Sequence, residues 1–494
     1  MLFHEKNFLL LFMPAVFIGY LILKKVSKSY IITLLVLSSA CFYCINNTYN
    51  IFVITFSIII NFYLGICISK YPEKNIFLVA GIIFNVIYLG IFKYSNFLIG
   101  NINIILNTKF GYTSIELPLA ISFFTFQQIA YLVDTKRGLI NGSNLRIYSF
   151  FVLFFPQLIA GPIVRFQQIV EQVQNLSFLR NSSIFFIAGF CLFSIGLAKK
   201  VMIADGIGTL TEDLFIIIES NRIPSLAEAW VGMVSFGLQI YFDFSAYSDM
   251  AIGLALMLGI RLPVNFNSPY KALNIIDFWR RWHITLSQFL RDYLYIPLGG
   301  NKLGKIRGCL NALLVMTIGG LWHGASWTFL LWGFFHGILI GFTHFSTNFL
   351  KKRNPLSLIL SQIILNKYFL FFLITLSWVL FRSDNFLHAK IIYQSLFGMN
   401  GIDISRSLSS YFLNSNLRCN GFLPNQELDL TMIPFLPFFL IHVWYFPNSN
   451  QLIGLDKKIK KPSYLIQLLC LIFFFLSIKI SLEDTFYDFI YFKF

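Results

Sequence analysis

Charged residues are scarce in this chain: Asp, Glu, Lys and Arg together make up 12% of its 494 residues. Hydrophobic residues make up 57%, and the mean hydropathy is +0.70. A soluble globular protein cannot keep so much apolar surface away from water. The composition therefore excludes a soluble globule and predicts a membrane protein that crosses the bilayer several times.

Signatures of several other protein classes are absent. No G-x-S-x-G motif occurs, which argues against a serine hydrolase built around a nucleophile elbow. The cysteines show no spacing typical of a metal site, so no metal is expected. Cys41 and Cys44 form a C-x-x-C pair inside an apolar stretch, where packing is the simpler interpretation. The seven cysteines are at positions 41, 44, 67, 191, 309, 419 and 470.

Internal repeats are not evident either. Secondary transporters often contain two related halves, so this absence argues against a transporter or channel, the main alternative class for a chain with charges inside apolar regions. A second alternative is a non-catalytic membrane scaffold that recruits a secreted hydrolase or esterase. Composition alone leaves both alternatives open.

Apolar stretches of spanning or near-spanning length predict about ten to twelve transmembrane helices in one all-α membrane domain. These stretches lie at 7–23, 29–45, 51–69, 76–92, 113–133, 146–161, 184–203, 228–258, 308–343, 356–382, 430–446 and 463–481. We expect peripheral spans in 1–112, a catalytic core in 113–345, later spans and an external loop (400–429) in 346–462, and a final span with an aromatic tail in 463–494.

The net charge of +16 results from 38 basic and 22 acidic residues. The basic residues fall in short loops between spans, as the positive-inside rule requires, so no nucleic-acid partner is needed to explain them. Basic clusters follow the first, third and fifth spans, whereas the loop 46–50 carries no charge. This distribution places the N-terminus outside the cell membrane, and a basic cluster at 457–461 directs the final span and the C-terminus outward as well.

Two histidines lie among residues that are otherwise largely apolar or aromatic. His283 ends the string F-W-R-R-W-H (278–283), and His323 lies in G-G-L-W-H-G (319–324). Ionisable side chains at membrane depth are costly, so those that are present commonly face a cavity and have a function. His283 and His323 are therefore the first candidates for chemistry.

The residues around His283 have the period of an amphipathic helix over 275–293. The apolar stripe consists of Phe278, Trp282, Leu286, Phe289 and Tyr293, and the opposite polar stripe of Arg280, His283, Ser287 and Arg291. Such a helix would lie at the membrane interface with its polar stripe toward a cytoplasmic vestibule. Arginines that extend from a surface helix to water are the alternative, which leaves the histidine between them unexplained.

Three glycines surround His323, at positions 319, 320 and 324. Glycines at membrane depth indicate close helix packing or a broken helix that lines a cavity. Either arrangement places the imidazole in a space lined by protein, although a packed, hydrogen-bonded histidine without a catalytic role is the commoner case.

Two further strings carry polar or helix-breaking residues at membrane depth. Asp243 and Asp249 lie in Y-F-D-F-S-A-Y-S-D-M (241–250), and two prolines and a glycine predict a kink in F-P-Q-L-I-A-G-P (155–162). Buried aspartates relay protons, bind ions, orient a histidine or pair with an arginine. We favour a structural or orienting role for both.

These strings resemble the membrane-bound O-acyltransferase superfamily, specifically its bacterial alginate and peptidoglycan O-acetyltransferase branch. The resemblance runs in order from 113 to 345. Its matching strings are L-P-L-A-I-S-F-F-T-F-Q-Q-I-A-Y-L-V-D (117–134), G-P-I (161–163), Y-F-D-F-S-A-Y-S-D-M-A-I-G (241–253), N-S-P-Y (267–270), F-W-R-R-W-H (278–283) and G-G-L-W-H-G-A-S-W (319–327). This chain departs from the family pattern at Ala120 and Ala246, where the family usually has glycine.

The resemblance implies a ring of helices around a thinned centre, with a tunnel that joins a cytoplasmic donor entrance to an external acceptor entrance. It implies acetyl-CoA as the acyl donor, a periplasmic partner transferase and location in the bacterial inner membrane. The family's essential histidine corresponds to His323 and its second prominent histidine to His283. We assign His323 as general base; whether it carries the acyl group itself stays open.

The donor's phosphorylated end is expected to meet the segment around His283. The residues that we assign to donor binding are Trp279, Arg280, Arg281, Trp282 and Arg291.

The chain ends in F-I-Y-F-K-F (489–494), which is similar to the F-I-Y-x-x-F ending of the small peptide that partners the D-alanyl acyltransferase of teichoic-acid systems. In that system the tyrosine is thought to carry the acyl group, which implies that Tyr491 accepts the acetyl group here. Aromatic residues near a chain end also commonly settle at the membrane interface, which is the alternative.

The acceptor polymer is less well determined. Abundant Ile, Asn, Lys and Phe are typical of an AT-rich genome, which favours peptidoglycan, at the C6 hydroxyl of N-acetylmuramic acid, over alginate or another exopolysaccharide.

Overall fold

The computed structural model is helical throughout the part of the chain that it describes, with no β-strand there. It describes all residues except 28–29, 46, 141, 143, 175–181, 351–365, 402–429, 456–458, 460, 483–488 and 491–494. Most of the predicted external loop, Cys419 and Tyr491 lie outside the described residues. The helical fold and the apolar composition confirm an all-α polytopic membrane protein.

The α-helices up to the middle of the chain are α1 (Met13–Val26), α2 (Tyr30–Cys44), α3 (Tyr49–Lys70), α4 (Ile76–Leu89), α5 (Ser95–Leu106), α6 (Ile121–Lys136), α7 (Leu145–Leu153), α8 (Phe155–Leu158), α9 (Phe166–Gln174), α10 (Ser182–Ala198), α11 (Asp205–Glu219) and α12 (Leu226–Met257). Those that follow are α13 (Ile275–Trp279), α14 (Ile284–Leu290), α15 (Lys305–His323), α16 (Trp327–Leu350), α17 (Lys367–Arg382), α18 (Phe386–Leu396), α19 (Leu436–Tyr445), α20 (Ser449–Ile453) and α21 (Tyr464–Ser481). Four π-helical turns extend these helices, at Phe8–Phe12, Gly90–Tyr94, Lys199–Ala204 and Arg291–Tyr295, and short 3₁₀ turns lie at Pro269–Lys271 and Leu430–Phe435.

Within the described residues, five helical segments are long and apolar enough to cross a membrane. They are Phe8–Val26, Tyr49–Lys70, Ile76–Leu106, Ser183–Glu219 and Tyr464–Ser481. The other predicted spans correspond to helices that are shorter, such as α2, or more polar, such as α12. The more polar helices lie in the interior, where protein rather than lipid surrounds them.

Helix α12 forms the centre of the fold. A capping box begins it, in which Ser225 Oγ accepts from the Glu228 N–H and the Glu228 carboxylate accepts from the Ser225 N–H. Residues 235–257 are all buried. Helix α10 packs directly on α12. The two backbones are so close that a Cβ added at Gly189 would lie 2.6 Å from the carbonyl oxygen of Gly253. Small residues thus allow close backbone contact between these two helices.

The predicted aspartates of α12 are paired with lysines of the π-turn Lys199–Ala204. Lys200 Nζ lies 3.1 Å from Asp243 and 2.7 Å from Asp205, and Lys199 Nζ lies 2.8 Å from Asp249. Buried charges are tolerated when they are paired in this way. The pairs support the structural role that we favoured, although lysine rather than arginine supplies the partner.

Two expected helices differ in detail. The predicted span 113–133 becomes helical only at Ile121. Pro118 and Ala120 precede the helix, and the backbone of Ala120 is left-handed, with φ of 60°. The predicted kink is present, since α7 ends at Leu153 and the four-residue α8 follows.

The continuous helix predicted over 275–293 is wrong. The chain forms α13 and α14 with a break between them, and His283, with φ of 42°, precedes α14. The five residues of the predicted apolar stripe are nevertheless all buried. The helical spacing of the apolar residues identified the buried side chains correctly. It did not reveal the break between α13 and α14, which depends on tertiary contacts of His283.

Candidate active site

His323 is the last residue of α15, and glycines bring that helix end against α16. A Cβ at Gly320 would lie 2.3 Å from the carbonyl oxygen of Phe329, and one at Gly324 would lie 2.2 Å from the Phe329 ring. The chain leaves the helix at Gly324 in an extended conformation. Both predicted functions of the glycines, close packing and an interrupted helix, are therefore present.

The His323 side chain is 5% exposed and is surrounded by aromatic rings. Its ring centroid lies 4.9 Å from that of Trp322, 5.3 Å from that of Trp332 and 5.3 Å from that of Phe381. Such surroundings favour the neutral imidazole, which is the form that a general base requires.

A cavity of about 230 Å³ has His323 in its wall. Its other walls are formed by the segment from Leu117 to Phe123 at the start of α6, by Ile159 and Ala160, by Trp322 and by Lys93. The cavity is large enough for a small acyl group together with the end of an acceptor chain.

Lys93 and Tyr94 bind the end of α15. Lys93 Nζ donates to the carbonyl oxygens of Trp322 (2.6 Å) and His323 (2.9 Å), and Tyr94 Oη donates to that of Leu321 (2.7 Å). The last carbonyls of a helix have no partner within the helix, so side chains commonly satisfy them. A π-turn positions both donors, and such turns are frequent at functional sites.

His283 is fully buried and lies in a hydrogen-bond network centred on Asn265. Asn265 Oδ1 lies 3.2 Å from His283 Nδ1 and accepts from Thr285 N (3.3 Å) and Thr285 Oγ1 (3.0 Å). Thr285 Oγ1 in turn accepts from the Ile163 N–H at 3.0 Å. The left-handed backbone of His283 is strained for a side-chain-bearing residue, and such strain is often found at functional sites.

The ring of Trp322 contacts both candidate imidazoles, at 4.9 Å for His323 and 6.3 Å for His283. From Trp322 a row of rings continues through Phe126 (5.0 Å, stacked) and Phe289 (4.1 Å, stacked) to Tyr293 (4.9 Å, tilted). We call Trp322, Phe126, Phe289 and Tyr293 the aromatic row. It fills the space between His323 and the face of the molecule that carries Arg165 and Arg291.

Arginines surround the far end of the aromatic row. Arg137 and Arg165 lie over the Tyr293 ring at 5.3 and 5.6 Å, and Asp292 pairs with Arg165 and, at 2.7 Å, with Arg291. Burial alone would raise the pKa of Asp292, but its hydrogen bond and charge interactions with Arg291 and Arg165 hold the pKa below its ordinary value. A cavity of about 10 Å³ adjoins this cluster and reaches Thr285.

The predicted donor-binding residues occupy two different environments. Trp279 and Trp282 are 8% and 1% exposed and belong to the aromatic core. Arg280 and Arg291 are exposed. Arg281 donates to Asp277 at 2.9 Å and to the carbonyl oxygen of Asn267 at 3.4 Å. The arginines, rather than the tryptophans, are therefore accessible to a charged ligand.

The C-terminal residues before Tyr491 lie inside the protein. Phe489 packs on Tyr247 (4.9 Å) and Phe244 (5.9 Å), and the Ile490 N–H donates to Asp243 at 2.8 Å. Phe244 also contacts the His283 ring at 4.8 Å. Tyr491 itself lies outside the described residues.

Sequence reasoning missed Lys93, Asn265 and His336. Lys93 is a basic residue inside the apolar segment Ile76–Leu106, a signal that was available and was not used. His336 is fully buried and lies 3.1 Å from Ser377 Oγ through Nε2. Asn265 has no distinguishing signal, since its function depends on contacts with Thr285 and His283. Within the described ranges, no three His, Cys, Asp or Glu side chains group as a metal site requires.

Comparison with known proteins identifies the family to which the chain belongs. Residues 147–382 match the profile of the membrane-bound O-acyltransferase family. The chain is 38% identical over 493 residues to the peptidoglycan O-acetyltransferase of Helicobacter pylori, which covers 92% of both chains. It is 37% identical over 417 residues to the probable alginate O-acetylase of Pseudomonas aeruginosa, covering 82% of this chain and 76% of that one. It is also 29% identical over 243 residues to the teichoic acid D-alanyltransferase of Bacillus subtilis, covering 47% and 60%.

Proposed function

Because the chain belongs to the membrane-bound O-acyltransferase family and is an O-acyltransferase, we propose that it moves an acetyl group from cytoplasmic acetyl-CoA across the bacterial inner membrane. The acetyl group serves the O-acetylation of a cell-envelope polysaccharide, with peptidoglycan as the acceptor and a periplasmic partner transferase as the last carrier. Both chain termini lie on the periplasmic side.

One observation carries this proposal: His323, the family's essential histidine, is buried and lines a cavity inside a membrane protein. Acyl transfer from a thioester needs a base beside the attacking oxygen and exclusion of water. A ring enclosed by Trp322, Trp332 and Phe381 meets both needs. His323 accepts the proton of the attacking hydroxyl and returns it to the departing thiolate of the donor.

The donor binds on the face where the arginines lie. A phosphorylated carrier needs guanidinium groups that water can reach. Arg291 is exposed beside Asp292 and Arg165, and Arg280, eleven positions earlier in the chain, is also exposed. Trp279, Arg281 and Trp282 then support the backbone of this segment instead of contacting the phosphates. In the positive-inside arrangement this face is cytoplasmic, since Lys136 and Arg137 end α6 on the same side.

Tyr491 is the proposed acceptor on the opposite side. Phe489 and Ile490, the two residues before it, are buried beside α12, and Phe489 lies against Phe244, which contacts His283. The burial of these two residues favours the acyl-carrier role over an aromatic anchor at the lipid interface. A periplasmic partner then takes the acetyl group from the tyrosine and transfers it to the polymer.

Peptidoglycan is favoured over alginate by the identity to the Helicobacter pylori relative across 92% of each chain. Alginate is the second candidate, because probable alginate O-acetylases match at similar identity over a shorter alignment.

The decisive experiment compares cells with and without this gene, and cells that carry His323→Ala. We expect base-labile acetyl groups on muropeptides only with the intact gene. Purified protein with acetyl-CoA should release free thiol slowly, and His323→Ala should release none. Muropeptides that stay acetylated without the gene would refute the peptidoglycan assignment, whereas a protein that releases no thiol would support the transporter or scaffold alternatives.

A further inference from the structure

We propose that Lys93 and Ser122 form the oxyanion site of the acyl-transfer reaction, in the cavity that His323 faces. The proposal extends the proposed function, since it rests on a thioester donor. It assigns a catalytic role to two side chains outside the histidine motifs.

Lys93 is an ionisable residue inside a membrane-spanning segment, where burying a charge is unfavourable and such residues commonly have a function. Lys93 lines the same cavity as His323 and is the one charged residue of the helical segment Ile76–Leu106. In the described part of the chain no Asp or Glu lies within ion-pair distance of Nζ. Among the described residues, the contacts of Nζ are with carbonyl and hydroxyl oxygens. When this group is protonated, its charge therefore has no counter-ion in that part of the chain and acts on the cavity.

Capping of α15 does not by itself require that charge. Tyr94 satisfies the carbonyl of Leu321 with a neutral hydroxyl, from the same π-turn and at a similar distance of 2.7 Å. A second neutral donor could serve the next carbonyl in the same way. The presence of an ammonium group next to the cavity therefore needs another explanation.

The hydrogen-bond distances leave one Lys93 donor available. An ammonium group has three N–H donors. Two are directed at the carbonyls of Trp322 and His323 at 2.6 and 2.9 Å, while the third contact, with Ser122 Oγ, is 3.4 Å long. That length is beyond the usual range, so this donor can turn to a better acceptor in the cavity. Ser122 Oγ accepts from Lys93 and retains its own hydrogen for a second bond to the same acceptor.

These two donors match the charge that develops during the reaction. As the hydroxyl oxygen of the acceptor bonds to the thioester carbonyl carbon, the carbonyl electrons move to oxygen and the hydroxyl proton passes to His323. The N–H of Lys93 and the O–H of Ser122 donate to this oxyanion. When the carbonyl re-forms, the carbon–sulfur bond breaks and the thiolate leaves with the proton from His323.

The test measures thiol release from acetyl-CoA by the full-length protein in lipid nanodiscs. Lys93→Met keeps the length of the side chain without its charge, and we expect kcat to fall about 10² to 10³-fold with KM unchanged. Ser122→Ala should lower kcat about tenfold, as expected for loss of one neutral donor. Lys93→Arg should retain part of the activity that Lys93→Met loses.

Tyr94→Phe is the matched control, because it removes a carbonyl contact at the same helix end and leaves the cavity charge intact. It should keep kcat near that of the parent protein. Equal losses in Tyr94→Phe and Lys93→Met, with matching losses of thermal stability, would show that Lys93 only caps the helix. An inactive parent protein would instead refute the acetyl-CoA assignment. In that case the same variants are compared by polymer acetylation in cells. Loss of acetylation in Lys93→Met at a normal protein level would support the oxyanion site, and full acetylation would refute it.

Discussion

Asn265 determines which nitrogen of His283 carries the hydrogen. The two side chains meet at 3.2 Å through Oδ1 and Nδ1, and Oδ1 already accepts from the backbone N–H of Thr285. Since an amide oxygen only accepts, the hydrogen of the shared bond belongs to His283 Nδ1. Nε2 then carries a lone pair, and it is buried with no hydrogen-bond partner in the part of the chain that the structure describes.

Replacing Asn265 with Leu should therefore impair catalysis more than folding. The variant keeps a similar volume but removes the acceptor for Nδ1, so the proton is no longer confined to one nitrogen. We expect thiol release from acetyl-CoA to fall about 100-fold, the lower range for a misplaced acid or base. Thermal unfolding monitors stability in the same samples.

Ser248→Ala is the control for Asn265→Leu. Ser248 Oγ accepts from the other end of the Asn265 amide at 3.3 Å, and its removal leaves Oδ1 unchanged. We expect activity near that of the parent protein. A fully active Asn265→Leu variant would mean that the tautomer of His283 does not matter for the reaction.

The helical fold could be predicted from the sequence because hydropathy determines it directly. Runs such as 51–69 are apolar on all sides and became α3, and 463–481 became α21. Prediction failed where the backbone depends on distant contacts. His283 breaks the expected helix because Asn265, 18 positions earlier, binds both its imidazole and the residues that follow it.

The candidate site was predictable only in part for the same reason. His283 and His323 stand out because they are ionisable and lie in apolar surroundings, whereas Asn265, Ser122 and Thr285 are ordinary polar residues until the fold brings them to a histidine or a cavity. Lys93 had the same signal as the histidines. Lys93 directly follows the predicted stretch 76–92, where a lysine usually extends to the membrane surface, but the helical segment continues to Leu106 and so includes it.

Gly320 should tolerate no side chain. A Cβ there would lie 2.3 Å from the Phe329 carbonyl oxygen and 3.0 Å from the backbone of Gly333. Gly320→Ala would therefore push α15 and α16 apart, and we expect a loss of stability of about 1–3 kcal/mol together with a loss of activity, because His323 ends α15. Thermal unfolding and thiol release measure the two effects.

Gly319→Ala provides a neighbouring control for the glycine experiment. A Cβ at Gly319 would meet only the end of the Leu290 side chain, at 3.1 Å. Leucine can shift by a few tenths of an ångström, so stability and activity should stay near those of the parent. An equal loss of stability and activity in the two variants would show that the contact between α15 and α16 at Gly320 is not its cause, since helix propensity favours alanine at both positions.

Ala120→Gly should be neutral or stabilising. Ala120 has φ of 60°, a left-handed conformation that costs a residue with a Cβ about 1–2 kcal/mol. Glycine removes this strain but loses about 0.5–1 kcal/mol through greater freedom in the unfolded chain. The net gain should be at most about 1.5 kcal/mol, measured by thermal unfolding. A clear loss of stability would show that the methyl group packs usefully in the cavity wall.

Tyr491→Phe distinguishes an acyl carrier from a lipid-anchoring aromatic residue. Phenylalanine keeps the aromatic ring and its packing and removes only the phenolic oxygen. If that oxygen bonds to the acetyl carbon while the thiol of CoA leaves, the variant cannot be acetylated, and acetylation of the polymer should fall to the level found without the gene. Mass analysis of the C-terminal peptide after incubation with isotope-labelled acetyl-CoA should show one labelled acetyl group in the parent protein and none in the variant.

Tyr487→Phe is the matched control in the same tail, since it makes the same chemical change four positions earlier. It should leave both the labelled peptide and the polymer acetylation as they are in the parent. Equal loss in both variants would mean that the tail needs its tyrosines for placement. Full polymer acetylation with Tyr491→Phe would leave direct transfer at His323 as the route, because no other group at that position could then carry the acetyl unit.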